Sequence, residues 1–292
     1  SSIINDEMIS IDINIIVSDI EMITNFLKQN PNIQVSITLS ISLTSIKPNA
    51  FNECTSLKKV ILPYSITTIG EGSFNECSSL KQISIPSSVT KIEKEAFKGC
   101  TSLVQISIPS SVTSIEDATF SGCSSLKKVV LPSSISKIGE SVFYGCSSLT
   151  QITIPSSITS IEYGTFRDCR SLEQITIPSS VTSIGKYSFY YCASLKEIII
   201  PSSVTSIGDD AFSHCFSLKK ITIPSSVISI GSSAFEYCEK LKEVKLPSSV
   251  TSIKGGTFSK CSSLKHITIP PSVTEIRNYA FRGCSSLKEI KI

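Results

Sequence analysis

A cysteine returns every 23 residues along this chain, eleven times: Cys54, Cys77, Cys100, Cys123, Cys146, Cys169, Cys192, Cys215, Cys238, Cys261 and Cys284. The rest of the phrase repeats with it. One copy runs Ile200-Pro201-Ser202-Ser203-Val204-Thr205-Ser206-Ile207-Gly208, then Ala211-Phe212, Cys215, Leu218, Ile221 and Ile223. A fixed period of this length fits a solenoid, in which each repeat is one coil stacked on its neighbours. Chain length then sets the number of coils rather than the number of domains.

Within a copy, Lys219-Lys220-Ile221-Thr222-Ile223 alternates polar and apolar residues and reads as a strand that Pro224 ends. Val227-Ile228-Ser229-Ile230 is a second, shorter extended piece, and Gly231 supplies a turn. Ser233 to Cys238 is too short for a stable helix and predicts a single helical or 3₁₀ turn. Phe, Cys, Leu and the recurrent Ile and Val residues are the expected core. One coil buries too little to offset the entropy of ordering it, so stability must come from stacking.

Residues 1–36 depart from the repeat. Ile9, Ile11, Ile13 and Ile15 alternate with polar residues as in a strand with one buried face. Ser18 and Glu21 have the spacing of a capping box ahead of a helix whose apolar face is Ile20, Ile23, Phe26 and Leu27. The expected organisation is an N-terminal cap of strand plus short helix at 1–36 and a solenoid of about eleven repeats at 37–292. The sequence stops on a strand, Ile290-Lys291-Ile292. An open end of that kind invites continuation of the chain or an end-to-end homodimer through the uncapped C-terminal coil.

The eleven cysteines read as a column of free, buried thiols. Side chains in one column point the same way, with Cβ atoms about 4.8 Å apart, which is too far for a disulfide. A straight row cannot surround zinc either. No cofactor or metal is expected. The net charge of +3 is small and spread over the coils, so it marks neither a nucleic-acid footprint nor a polybasic membrane patch. No apolar run is long enough for membrane insertion within this segment.

The phrase Leu-x-x-Ile-x-Ile-Pro-x-x-Val-x-x-Ile-x-x-x-Ala-Phe-x-x-Cys, eleven times over, resembles the BspA-like (treponemal-type) class of leucine-rich repeats. Departures are minor: Val60, Val129 and Val244 replace a strand Ile, and Pro271 follows Pro270. The resemblance covers about residues 37–292. It implies an α/β repeat fold, a right-handed leucine-rich-repeat solenoid with a parallel β-sheet on the concave face. It also implies a cell-surface or secreted adhesion or host-interaction protein of a microbe, with a protein or glycan ligand. The alternative is a cytoplasmic scaffold for a cytosolic protein partner, which the reduced thiol column favours.

Two surfaces are candidates. The exposed strand columns, such as Lys59, Gln82 and Gln105, line the concave face but hold no aromatic anchors. The stretch around the repeated Phe and Cys is more distinctive: Tyr187, Tyr190, Tyr191, His214, Phe216 and Tyr237 fall on three consecutive coils. They predict an aromatic patch suited to partner binding. Asp209-Asp210 reads as solvated charge in a turn. His214 and His266 fall on different faces, and no nucleophile, phosphate-loop or paired-carboxylate motif accompanies them, so no enzyme is expected.

Overall fold

The structure, a computed structural model, describes residues 9–291, with side chains from Ile16 onward. The expected Ile9, Ile11, Ile13 and Ile15 face and the terminal Ile292 lie outside the described side chains. Strand β1 (Ile9–Val17) leads into helix α1 (Ile20–Gln29) and then β2 (Ile33–Leu39). β1 pairs with β2 in parallel, with a register shift between Ile11 and Ile15, and β2 pairs onward with the first repeat strand, Leu57–Ile61.

The helix start differs from the sequence expectation. Asp19, not Ser18, is the N-cap, and its carboxylate accepts from the Met22 N–H at 3.2 Å. Ser18 lies one residue too early for its side chain to meet that amide. Ile23, Thr24 and Leu27 form the buried face, whereas Phe26 is exposed. The buried Ser56 hydroxyl donates to the Leu27 carbonyl and ties α1 to the first coil.

Each following coil carries a main strand and a two-residue strand, for example Lys220–Thr222 and Ser229–Ile230. Both pair in parallel with the equivalent strand one period away: Ile198 opposes Ile221, and Ile207 opposes Ile230. Fixed register puts like side chains in columns. Ten phenylalanine pairs stack from Phe51 to Phe281, with centroids 5.2–5.8 Å apart. Cys, Leu, Ile and Val columns pack around this stack in one continuous core.

Polar residues of the repeat close the turns between coils. The Pro224 carbonyl accepts from Val227 N–H at 3.1 Å, which reverses the chain after the strand. The second Ser of each Pro-Ser-Ser unit donates across to the preceding coil, as Ser226 Oγ does to the Val204 carbonyl at 2.7 Å. The same bond recurs at Ser65, Ser88, Ser134 and Ser203.

The predicted helical turn around Phe and Cys is absent; a chain of turns takes its place, and α1 is the only helix among the described residues. The reason lies in where the amides point. Ser233, Phe235 and Tyr237 donate to Gly255, Thr257 and Ser259 of the next coil, while Glu236 and Cys238 donate within their own turn. A helix would consume all five N–H groups locally and leave the next coil's carbonyls unpaired. Alternating the donors requires two left-handed residues per coil, at the positions two before and two after Phe, as at Ser233 (φ 53°) and Tyr237 (φ 58°).

All eleven cysteines are free, ten of them buried and Cys284 half-buried. Every one from Cys77 to Cys284 donates its S–H to the carbonyl of the Phe 26 residues earlier, at 3.0–3.3 Å. They are therefore hydrogen-bond donors as well as small apolar fillers.

Candidate functional site

The same stretch that bonds coil to coil also builds the aromatic surface. Tyr191, His214 and Tyr237 occupy the left-handed position two after Phe on successive coils, with φ of 60°, 62° and 58°. Side chains fixed in one backbone state, one period apart, must stack. The Tyr191 and His214 rings lie 5.4 Å apart at 16°, and His214 and Tyr237 lie 4.6 Å apart at 28°. Phe216 closes edge-on against Tyr191 and His214 at 5.4 and 5.6 Å. Tyr190 reaches His214 at 5.1 Å, and Tyr187 packs edge-on against Tyr190 at 5.6 Å. All six predicted residues thus come together, and all are half-buried.

The cluster is larger than its sequence outline. Tyr163 packs edge-on against Tyr187 at 5.7 Å. The Arg167 guanidinium lies 5.4, 5.3 and 5.1 Å from the rings of Tyr144, Tyr187 and Tyr190, and Arg170 lies 4.9 Å from Tyr191. Cations over ring faces are held by the ring quadrupole, so both arginines are pre-positioned. Asp168 binds Arg170 at 3.0 Å and Arg167 at 3.7 Å. Sequence reasoning passed over Tyr144, Tyr163 and the arginines because they lie in different coils. Counting in periods from Phe would have put Tyr144, Arg167 and Tyr190 in one column.

Burial shapes the electrostatics of the patch. It holds the His214 imidazole below its ordinary pKa, against the opposing pull of Glu236, Asp168 and Glu239. Burial likewise raises Asp210, helped by Glu236 and Asp209, while Tyr187 hydrogen-bonds its carboxyl. Asp210 is therefore half-buried against the patch rather than simply solvated. His214 Nδ1 lies 2.9 Å from Ser213 Oγ, but Ser213 is fully buried and its hydroxyl cannot meet a substrate.

On the other face, the main strands up to Glu243–Lys245 end in an exposed, buried, exposed pattern. Thr268 is half-buried and the last strand, Glu289–Lys291, is exposed throughout, so apart from Thr268 the predicted columns from Lys59 to Glu289 and from Ile61 to Lys291 face out. His266 stands there, away from His214, 3.5 Å from Glu289. Among the described residues no group of His, Cys, Asp or Glu is arranged to hold a metal, and no helix is long and apolar enough to cross a membrane.

Stacked parallel coils of one period, a continuous apolar core and long exposed columns define a leucine-rich-repeat solenoid of parallel strands, a scaffold whose surfaces suit protein binding. The family model for the BspA type leucine rich repeat region matches residues 21–141, 90–218 and 205–292, and the chain belongs to that family. No curated protein matches the chain. Among solved structures, it is similar to a leucine rich cell surface protein from Faecalibacterium prausnitzii, with 35% identity over 88% of this chain and 78% of that one, at TM-score 0.63. A leucine-rich repeat protein from Bacteroides ovatus has 27% identity over 99% of this chain and 88% of that one, at TM-score 0.65. The T. pallidum leucine rich repeat protein has 31% identity over 56% of this chain and 78% of that one, at TM-score 0.52.

Proposed function

We propose that the chain is a non-enzymatic protein-interaction module, carried on a microbial cell surface or secreted, that docks its partner on the patch of Tyr187, Tyr190, Tyr191, His214, Phe216 and Tyr237. The carrying observation is the three-coil stack Tyr191–His214–Tyr237 with Phe216 against its edge. Rigid, half-buried aromatic rings bind at low entropic cost. Elsewhere the column that holds Tyr191, His214 and Tyr237 takes glycine at Gly99, Gly122, Gly145 and Gly283 and charged residues at Glu53, Glu76, Asp168 and Lys260, so rings occur in it only at these three consecutive coils. Bulky side chains at a left-handed position carry a strain the fold itself does not need. The Faecalibacterium relative's description as a cell surface protein supports the location. Free thiols do not oppose it, because burial raises their pKa and removes them from oxidants. Residues 1–36 act in this reading as the cap of the 37–292 solenoid.

The test is a panel of immobilised extracellular-matrix proteins probed with the wild type and with a Tyr190→Ala/Phe216→Ala/Tyr237→Ala variant. The expected result is binding to at least one of them, weakened at least about tenfold in the variant at unchanged secondary structure. Absence of binding across the panel, or equal binding by both proteins, would remove the reading. Protease treatment of intact cells that leaves the protein whole would remove its surface location.

A further inference from the structure

The residue after each core leucine forms a column that the aromatic patch does not use. In the last five coils it is Lys196, Lys219, Lys242, Lys265 and Lys288, all exposed. Backbone bonds lock the row: Lys219 N–H donates to the Lys196 carbonyl, Lys265 to Lys242 and Lys288 to Lys265, at 3.0, 2.8 and 3.1 Å. At a strand spacing of about 4.8 Å the row is about 19 Å long. Beside it, the exposed strand columns balance, with Lys220, Lys245 and Lys291 against Glu197, Glu243 and Glu289, so the net positive charge of this face comes from the row itself. Of the five, only Lys196 is in an ion pair among the described residues, with Glu173 at 2.6 Å. The charge excess is therefore not evenly spread: residues 196–292 carry 13 Lys and Arg against 8 Asp and Glu, and five of the lysines stand in this row.

The fold does not require this row. Lys58, Lys81 and Lys127 fall in the same column, but Val104, Thr150 and Glu173 interrupt it with the same strand geometry, so the last five coils hold its longest unbroken run. Like charges stacked one coil apart repel, so the lysines cost the solenoid stability in isolation. We propose that the Lys196–Lys288 row is a docking surface for a linear acidic polysaccharide, a glycan bearing a sulfate or carboxylate on each sugar or nearly so. The partner's charge must recur along a straight line, once per coil. An extended acidic peptide presents same-side residues about 6.8 Å apart, which drifts out of step with the coils. Duplex phosphates wind around an axis, and single strands call for aromatic stacking platforms, of which neither the row nor the strand columns beside it hold any. Lysine, a hydrated point charge rather than a bidentate fork, suits a repeating polyanion read without fine geometry.

Dextran sulfate, neutral dextran, oligo-dT and polyglutamate serve as probes, with binding measured by titration at low and high salt. The wild type should bind dextran sulfate at low salt, most tightly of the four, and release it as salt rises. A Lys219→Glu/Lys242→Glu/Lys265→Glu variant should bind at least about tenfold more weakly. A Lys47→Glu/Lys240→Glu/Lys254→Glu variant, with the same net charge but the row intact, should stay within about twofold. Circular dichroism and melting curves establish that both variants are folded. Equal loss in the two variants would reduce the effect to net charge and overturn the proposal. Tighter binding of oligo-dT or polyglutamate would replace the partner class, and absence of dextran sulfate binding would end the proposal. The Tyr190→Ala/Phe216→Ala/Tyr237→Ala variant should keep dextran sulfate binding, so failure here and failure of the aromatic-patch reading are separable.

Discussion

At the residue scale, the repeated cysteine is held as a neutral donor. Its S–H bonds the Phe carbonyl one coil back, and burial raises its pKa: Cys54 to about 11, and Cys123 and Cys215 to about 12. A thiol whose folded pKa exceeds its unfolded value stabilises fully below the unfolded pKa and loses that contribution as pH rises through the folded one. From an ordinary value of 9.0, the window opens near pH 9 and extends to about 12. The expected outcome is a urea midpoint that these thiols leave unchanged from pH 7 to 8.5 and that falls steeply between pH 9 and 11. A flat midpoint across that window would show that the thiols do not hold their protons. Thiol reagents at pH 8 should label the native protein slowly and all eleven sites after unfolding. The spacing of 23 made the column legible in the sequence, but the bond to the Phe carbonyl was not, because it joins residues 26 apart through a turn whose backbone had to be seen.

At the element scale, the left-handed positions separate backbone strain from packing. Ala118 sits at φ 53°, where only its Cβ opposes the backbone, so Ala118→Gly should stabilise by up to about 1 kcal/mol. Gly122 sits at φ 75°, and a Cβ there would meet its nearest neighbour, Gly99 N, at an ordinary 3.5 Å. Gly122→Ala should therefore cost about 1 kcal/mol from conformation alone. Gly231 is different in kind. Its φ is ordinary, but a Cβ would lie 2.3 Å from backbone atoms of Gly208 and Asp209 in the preceding coil. Gly231→Ala should cost more than Gly122→Ala by forcing two coils apart. Urea unfolding of the three variants checks the order, and a Gly231→Ala cost no larger than that of Gly122→Ala would show the coils can yield. Alternation around Ile221 was enough to read the strand, and the Pro to read its end. The turns were not, since a run such as Ser233–Cys238 suits a helical turn in isolation and only the neighbouring coil's carbonyls forbid it.

At the scale of the whole molecule, stability resides in the interfaces between coils. Deleting 23 residues, such as 133–155, removes one coil and lets its neighbours restack with every column in phase. The product should fold cooperatively with a somewhat lower urea midpoint, whereas deleting 11 residues from the same place should abolish cooperative unfolding. An equal result for the two deletions would show that register between coils does not control folding. Truncating one ring of the phenylalanine stack, as in Phe166→Ala, should cost about 3–5 kcal/mol and raise hydrogen exchange in the flanking coils first.

The sequence by itself determined the architecture and the identity of the core columns, since a strict period leaves neighbouring coils one register in which like meets like. It also marked six members of the aromatic patch by their rarity. Only the tertiary structure decided how those rings meet, that Arg167 and Arg170 join them, and that five lysines stand in an almost unpaired row. A position in a repeat specifies its column. Which partners a side chain finds across that column depends on left-handed backbone and coil-to-coil bonds that exist only once the coils are stacked.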